Sequence, residues 1–511
     1  MHFCKISCMA EAAGMMEKIL DVAKRRGFFW QSALVYGGLA GFWDYGHLGT
    51  LVKRRFENLW RSYFLGLDDN FYEVSTSLVM PEPVFKASGH LSHFVDPIVK
   101  CSKCGNAERA DQLLEQELKQ SFEGVASAEM DAVIKKHNIR CPKCKGQLES
   151  AGELNMMFPL KVGVGKEAVA YLTPETAQGA YLNFLQEFEC LRRKLPMGLA
   201  IVGKAFRNEI SPRNALIRMR EFTQAELQIF FDPDAIGKHE RFAEVAKYKL
   251  LVYPVTNRKS GKIDEVSCEE LAKGLPQFYV YHMARVQQFY LDVLMLPKKL
   301  FRFRELDKEE KAFYNKYHWD VELCLESMGW EEVAGVHYRT DHDLAGHQQV
   351  SKQKMVVNVD GKDVLPHVLE LSFGVDRNVY AFLELSYKEE KERTIITFPK
   401  LIAPFDAGVF PLVNKDGLPE KAREIQRMLE QAGLIVFFDG SGSIGRRYRR
   451  TDEIGVAAGI TIDYDSLKGA DVTLRDSATM DQVRVPVKDL VAALRRFQSG
   501  ESLSKLGKSM K

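Results

Sequence analysis

The stretch Gly203–Phe231, GKAFRNEISPRNALIRMREFTQAELQIFF, constrains this chain more than any other. It reads as a strand ending near Arg207, a polar loop, and a strand resuming at Phe222. The hairpin carries Lys204, Arg207, Arg213, Arg218 and Arg220 against Glu209, Glu221 and Glu226, five cations to three anions. A hairpin that only has to fold does not need such a loop. Guanidinium forks match phosphate oxygens in pairs, so this one suits a polyphosphate. The competing reading is an exposed basic hairpin with no ligand.

A second segment has the same taste for anions. In HVLELSFGVDRNVYAF, strand alternation puts Val368, Glu370 and Ser372 on one face. Gly374 breaks the strand, and the helix that follows has Arg377 in its first turn. Free N–H groups and the dipole already draw anions to a helix start, and an arginine there suits a triphosphate. The alternative is a structural pair between Arg377 and Asp376 or a neighbour. Three glutamates, Glu175 in LTPETAQG, Glu226 in FTQAE and Glu370 in ELSFG, offer acceptors for the three N–H donors of an ammonium. Read alone, Thr173-Pro174-Glu175 is equally a helix start, with cap, proline and acidic first turn.

The order Phe-Arg-Asn-Glu, arginine-bearing loop, Arg-Glu-Phe resembles motif 2 of the class II aminoacyl-tRNA synthetases. The fuller string FRNEISPRNALIRMREFTQAE resembles the dimeric glycyl-tRNA synthetases of archaeal and eukaryotic type, which some bacteria also use. The segment ending at Pro81 is similar to motif 1, which builds the dimer interface in this class, and residues 366–386 to motif 3. FRFRELDKEEKAFYNKYHWD resembles the family's approach to its active-site wall, departing at Leu306. Gly46-His47-Leu48-Gly49 stands where the family usually has Gly-Pro-Leu-Gly, which relaxes φ at one position.

The resemblance implies an α+β fold: an antiparallel six-stranded sheet flanked by helices, a Cys-rich insertion, and a C-terminal α/β anticodon-binding domain. The expected boundaries are 1–95 and 149–400 for the catalytic domain, 96–148 for the insertion and 401–511 for the last domain. Residues 235–300 read as a second insertion without assignable chemistry. The activity implied is that of a glycine–tRNA ligase, a homodimer using ATP with Mg²⁺, glycine and tRNA(Gly).

Carried over residue by residue, the resemblance gives Arg207 the α-phosphate and Arg377 the γ-phosphate of ATP, with Phe222 stacked on adenine. Asn208, Glu209 and the loop Ile217, Arg218, Met219, Arg220 and Glu221 surround it. Glu332 and Val333 in GWEEVAG bound ATP, Glu332 through Mg²⁺, with an ordinary strand carboxylate as the other reading of Glu332, and Gly374, Val375 and Asp376 stand beside Arg377. For glycine, Glu175, Glu226 and Glu370 take the ammonium and Arg339 stands near the carboxylate. Thr223, Gln224 and Ala225 on one strand and Leu371, Ser372 and Phe373 on the other complete the pocket with Phe222 and Gly374. Ser372 fills the space a side chain would need, and Arg109 occupies a position credited with substrate contact. Every competing amino acid is larger than glycine, so exclusion by overlap is enough; editing is needed only against a smaller rival.

Cys101-Ser-Lys-Cys104 and Cys141-Pro-Lys-Cys144 are two C-x₂-C knuckles, a pattern for a closed tetrahedral Cys₄ zinc site. The 36 residues between them exceed the usual ribbon span but look helical. A remnant site without metal is the other reading. Lys+Arg total 71 against 69 Asp+Glu, so any nucleic-acid contact must come from local patches. The clearest is Arg446-Arg447-Tyr448-Arg449-Arg450, read as a stacking-plus-phosphate surface against the commoner solvated turn. The residues after Ser499 read as a loose tail, the first dozen as frayed, and Cys190, Cys268 and Cys324 as core packing. No 18-residue apolar run and no usable export signal are present, so a reducing, cytoplasmic setting is expected and no membrane partner.

Two rivals stand beside this reading. One is a non-catalytic, synthetase-like nucleic-acid-binding subunit, which has no reason to keep Arg207, Arg377 and the three glutamates together. The other is a synthetase for another amino acid, which the glutamate pocket with Ser372 argues against.

Overall fold

The computed structural model describes residues 2–120, 122, 124–164, 168–212, 214–312 and 314–510, with residues 2–13 described by backbone alone. Arg213, one of the five hairpin cations, lies outside the described residues, as do the side chains of Cys4 and Cys8.

One large sheet carries the site. Its strands in chain order are β1 Phe71–Glu73, β2 Met197–Phe206, β3 Glu221–Phe231, β4 Lys249–Tyr253, β5 Asp264–Ser267, β6 Phe301–Glu305, β7 Tyr317–Leu325, β8 Gly329–Thr340 and β9 His367–Gly374. They lie in the order β5-β4-β6-β7-β8-β9-β3-β2-β1. The six strands from β6 to β2 are antiparallel throughout, as expected. Parallel strands β1 and β4 extend them at either end.

Residues 235–300 therefore do not stand apart. They supply β4 and β5 to the sheet, and the helix Gln277–Gln288 lays Tyr279, Val280, Met283 and Val286 into the main core. Tyr279 donates from its hydroxyl to the Val336 carbonyl across 2.6 Å, so even its polar end is satisfied.

Helix His47–Phe64 repeats Leu48, Val52, Phe56, Trp60 and Phe64 every fourth residue, and all five are buried. Its start packs too closely for any side chain at Gly49, where a Cβ would come within 1.9 Å of the Phe28 carbonyl oxygen. The helix ahead of it runs from His2 to Arg26, longer than the stripe read at 11–26. Ala, Met and Glu in MAEAAGMMEK are good helix formers, so the first dozen residues continue it rather than fray.

The C-terminal part builds a separate core around Val409, Ile425, Ile460, Leu474 and Phe497. Its six-stranded sheet starts with three parallel strands, Val436–Phe438, Ala407–Pro411 and Ala458–Ile462, and ends antiparallel. The tail after Ser499 is not loose: Leu503 and Leu506 are buried in this core, and Lys508–Ser509 pairs with Val483 and Arg484. Of the cysteines read as core, Cys268 is buried and Cys324 partly so, whereas Cys190 is exposed at the end of helix Ala177–Cys190.

Candidate active site

Three neighbouring strands set the floor of a cavity of about 270 Å³. Register places Glu226 opposite Ser372, Gln228 opposite Glu370 and His337 opposite Glu370. Alternation then puts Glu226 of β3, Glu370 and Ser372 of β9, and His337 and Arg339 of β8 on the same face. Glu175 joins them from the turn before helix Ala177–Cys190. That helix has no acidic residue in its first turn and no side-chain cap, so the capping reading of Glu175 does not hold.

The three glutamates meet as expected, but they are not alike. Arg339 Nη2 is 3.4 Å from Glu175 Oε1, and Nη1 is 3.2 Å from Glu370 Oε2, while Asp343 takes Nε at 2.9 Å. Burial opposes charge on both glutamates, yet Arg339 holds Glu175 well below the usual carboxylate range. Arg339 and the His337 hydrogen bond bring Glu370 down to about 2 against the same burial. Among the described residues Glu226 has no cation partner, and its oxygens accept only from Thr176 Oγ1 at 2.6 Å and Ser372 Oγ at 2.7 Å. Burial, with Glu370 and Glu175 nearby, pushes it up to about 7. One floor thus holds two fixed anions and one carboxyl poised to ionise.

The cations stand along the cavity's sides. Arg207 uses Nε to donate to the Pro174 carbonyl at 3.0 Å and lies over the Phe222 ring, 5.2 Å from its centroid. Among the described residues its side chain has no other hydrogen bond, so its forked end remains available. Arg377 opens helix Val375–Ser386 behind Gly374, donating from Nε to the Ile217 carbonyl at 3.1 Å and pairing through Nη1 with Glu332 at 2.9 Å. It is not tied to Asp376. That carboxylate is buried, accepting from Tyr45, Lys53 and the Thr223 N–H, and so joins helix His47–Phe64 to β3 and motif 3. Arg218 pairs with Glu209 at 3.2 Å.

Residues 165–386 match the tRNA synthetase class II core domain (G, H, P, S and T), and residues 406–497 match the anticodon binding domain. The glycine–tRNA ligase of Aeropyrum pernix is 38% identical over 98% of this chain and 100% of its own length. That of Methanocaldococcus jannaschii is 37% identical, covering 94% of this chain and 98% of its own. The chain belongs to the glycine–tRNA ligase family.

Among the family positions carried over by resemblance, Ile217, Met219, Thr223 and Gln224 also line the cavity. Others do not. Ala225, Val333, Leu371, Phe373 and Val375 are buried in the core beneath it. Arg220 donates to the carbonyls of Glu209 and Ala40 and braces the loop, and Glu221 pairs with Lys204. Asn208 donates its backbone N–H to the Met156 carbonyl. Arg109 sits outside the cavity lining, its guanidinium held by Asp96 at 3.0 Å and by Asp111 at 2.5 Å.

The ligase cavity is also lined by residues the sequence reading missed: Tyr314, Asn315, His318, Asp320 and His337. The signal was present as alternation, since His318 and Asp320 are two apart on β7 and His337 is two before Arg339 on β8. Behind the floor, Gln178 and Asp343 add a buried layer, with Gln178 Nε2 2.9 Å from Glu175.

In the Cys-rich segment, the four sulfurs lie within 4.8 Å of one another, with Sγ separations of 3.5 Å for Cys101–Cys144 and 3.8 Å for Cys104–Cys141. A tetrahedral ion with metal–sulfur bonds of ~2.3 Å sets its sulfurs ~3.8 Å apart, so the thiolates fit zinc. The intervening chain is helical at Ala110–Leu118 and Ser127–Lys136, and packs its own small core around Leu114 and Met130.

The basic run in the anticodon-binding domain is largely structural. Arg447 is buried and donates to the carbonyls of Gly440 and Gly442, and Arg450 pairs with Asp439. Tyr448 lies under Arg475 and bonds Thr461, so it offers no open stacking face. The run forms helix Ile444–Asp452, whose period turns Arg447 and Thr451 inward and leaves Arg446 and Arg449 outward.

Proposed function

We propose that this chain makes glycyl-tRNA in this cavity, in two steps. A carboxylate oxygen of glycine attacks the α-phosphorus of ATP, the bond to the bridging oxygen breaks, and pyrophosphate leaves. A hydroxyl of the terminal adenosine of tRNA(Gly) then attacks the glycyl carbonyl, and AMP leaves. The observation that carries this reading is one cavity holding three glutamates at its floor and two phosphate-seeking arginines, Arg207 and Arg377, at its sides. Little covalent work falls to the protein, which aligns the reactants and neutralises charge on the phosphoryl oxygens.

Arg207 takes the α-phosphate with its forked end and Phe222 stacks on adenine, while Arg377 leaves Glu332 for the γ-phosphate. Mg²⁺ accompanies ATP in class II synthetases, and Glu332, released from Arg377, is the carboxylate placed to hold it near the phosphates. The glycine ammonium meets Glu226 first, because Arg339 already occupies Glu175 and Glu370. Arg339 therefore acts mainly by holding those two anions in place, rather than as a free clamp on the substrate carboxylate. Arg109 reaches substrate only by exchanging Asp96 or Asp111 for it.

The four thiolates of the Cys-rich segment hold a structural zinc, a closed site with no open position. The active form is a homodimer, paired through the region of motif 1 beside the short edge strand β1. Among the described residues no helix is long and apolar enough to cross a membrane, and the working location is the cytoplasm. Glycine-dependent pyrophosphate exchange, measured against alanine and serine, tests the reading. Exchange driven equally by alanine, or absent with glycine, overturns it.

A further inference from the structure

Three metal-capable side chains on the cavity wall have no part in the chemistry above. His318 and Asp320 stand two apart on β7, and His337 on β8 is the direct cross-strand partner of His318, while Asp320 faces Gly335. The two imidazole centroids are 4.0 Å apart. One donor atom from each of the three residues lies within 4.8 Å of the other two. All three line the cavity.

Each ring is held from behind. His337 Nδ1 lies 2.5 Å from Glu370 Oε1, so Nδ1–H donates a hydrogen bond to the carboxylate and, in the neutral imidazole, Nε2 carries the lone pair. That Nε2 is buried and, among the described residues, has no hydrogen-bond partner. A carboxylate behind an imidazole with its far nitrogen unpartnered is the arrangement that orients a metal-binding histidine. Gly335 permits it, since a Cβ at that position would come within 2.2 Å of His337 Nε2.

His318 has a matching support. Its Nδ1 is 3.1 Å from the amide nitrogen of Asn315, and Asn315 Oδ1 is buried without a partner. Amide nitrogen and oxygen exchange places by a half-turn of the side-chain end. The turned amide oxygen accepts a hydrogen bond from Nδ1–H, which gives it a partner and leaves His318 Nε2 with the lone pair of the neutral ring. That atom is 3.0 Å from Asp320 Oδ1. The other Asp320 oxygen faces Arg304 Nη1 at 3.6 Å, which leaves Oδ1 as the carboxylate donor.

We propose that His318, Asp320 and His337 form a binding site for one divalent transition-metal ion, separate from the magnesium that accompanies ATP. Two imidazoles and one carboxylate suit Mn²⁺, Fe²⁺, Co²⁺ or Zn²⁺, whereas Mg²⁺ keeps to oxygen ligands and water. Three protein donors leave the remaining positions open to the cavity, where an oxygen of a bound ligand completes the shell. The site does not depend on the adenylation reading, because its occupancy is read without nucleotide or glycine.

Mn²⁺ is the probe, since it favours nitrogen and oxygen donors over the four thiolates and reports its ligands through its electron spin. The full chain is titrated with Mn²⁺ in the absence of substrates and followed by electron paramagnetic resonance. One saturable Mn²⁺ per chain is expected, with hyperfine coupling to imidazole nitrogen and no displacement by a large excess of Mg²⁺. Asp320→Asn and His337→Gln should remove it, and Asn315→Leu should weaken it about 10-fold or more, the usual cost of losing an outer-shell partner. Absence of saturable binding, or Mn²⁺ bound without nitrogen coupling, overturns the proposal in the wild-type protein alone. Unchanged binding in folded Asp320→Asn and His337→Gln overturns it as well.

Discussion

Ser372 Oγ donates to Glu226 Oε1 across 2.7 Å, from one strand of the floor to the next. Ser372 therefore does more than occupy the space of a missing side chain. With Thr176 on the other oxygen, it surrounds Glu226 by neutral hydroxyls alone, while Glu370 has Arg339 and His337. The difference between the two carboxylates comes from partners, since both are almost completely buried.

That difference makes the first prediction one of pH. Glu226 is raised from 4.5 to about 7 in the folded protein, so between those values the native state holds a proton the unfolded chain has lost. Stability contributed at this position falls as pH rises through that window and stays low above it. Glu226→Gln should then raise the melting temperature more at pH 8 than at pH 4, while abolishing glycine activation. Glycine binding should release a proton near pH 6, because the ammonium favours the ionised carboxylate. Calorimetry in buffers of different ionisation enthalpy reads that proton, and buffer-independent binding enthalpies contradict the assignment.

Arg207→Ala should lower glycine-dependent pyrophosphate exchange by at least ~100-fold, the cost of one charge-stabilising donor. The fold should survive, as among the described residues this side chain makes a single hydrogen bond, to the Pro174 carbonyl. Exchange near the wild-type rate in folded protein removes Arg207 from the chemistry.

Discrimination against alanine should reside in the adenylation step. With the ammonium held by the glutamates as proposed, a methyl on the substrate would overlap protein or lift the ammonium from its acceptors. Glu370→Asp should harm glycine use more than it admits alanine, because the shorter side chain lets go of Gln228, His337 and Arg339 first. The measurement is kcat/KM for both amino acids in exchange. Efficient alanine activation followed by hydrolysis is the outcome that defeats the steric account.

Purified protein prepared without chelator should contain one zinc per chain by elemental analysis. Cys141→Ser should release it and expose residues 96–148 to proteolysis, since the ion ties the two knuckles across the helices. Metal-free wild-type protein with the same protease resistance speaks for a remnant site.

Asp376→Ala should destabilise the catalytic part by roughly 3 kcal/mol, because it takes the buried carboxylate away from the half-buried Lys53 ammonium, which keeps Thr223 Oγ1, and from the Tyr45 hydroxyl and Thr223 N–H. Chemical denaturation reads this, and an effect below about 1 kcal/mol, the value of an exposed pair, would mean that Lys53 escapes to solvent.

Much of the site was legible in the chain because its parts are local. The hairpin β2–β3, the break at Gly374 and the early-turn Arg377 each follow from period, turn chemistry and capping within a dozen residues. The two C-x₂-C pairs are local as well. The basic run at 446–450 misled for the opposite reason. Its helix turns Arg447 toward the carbonyls of Gly440 and Gly442, and those acceptors belong to a loop whose position depends on the whole domain.

The sequence by itself determined which residues carry charge, the motif hairpin and the strand–helix turn at Gly374, and the family they compose. Only the tertiary structure decided which glutamates have a cation beside them. Arg339 could have served any of the three, and register between β8, β9 and β3, with the turn that presents Glu175, gave it to Glu175 and Glu370. It also brought His318, Asp320 and His337 together from separate strands. Charge partners inside a protein act over a few ångströms at low dielectric, so their pairing follows distances in space, which strand register sets and residue order does not.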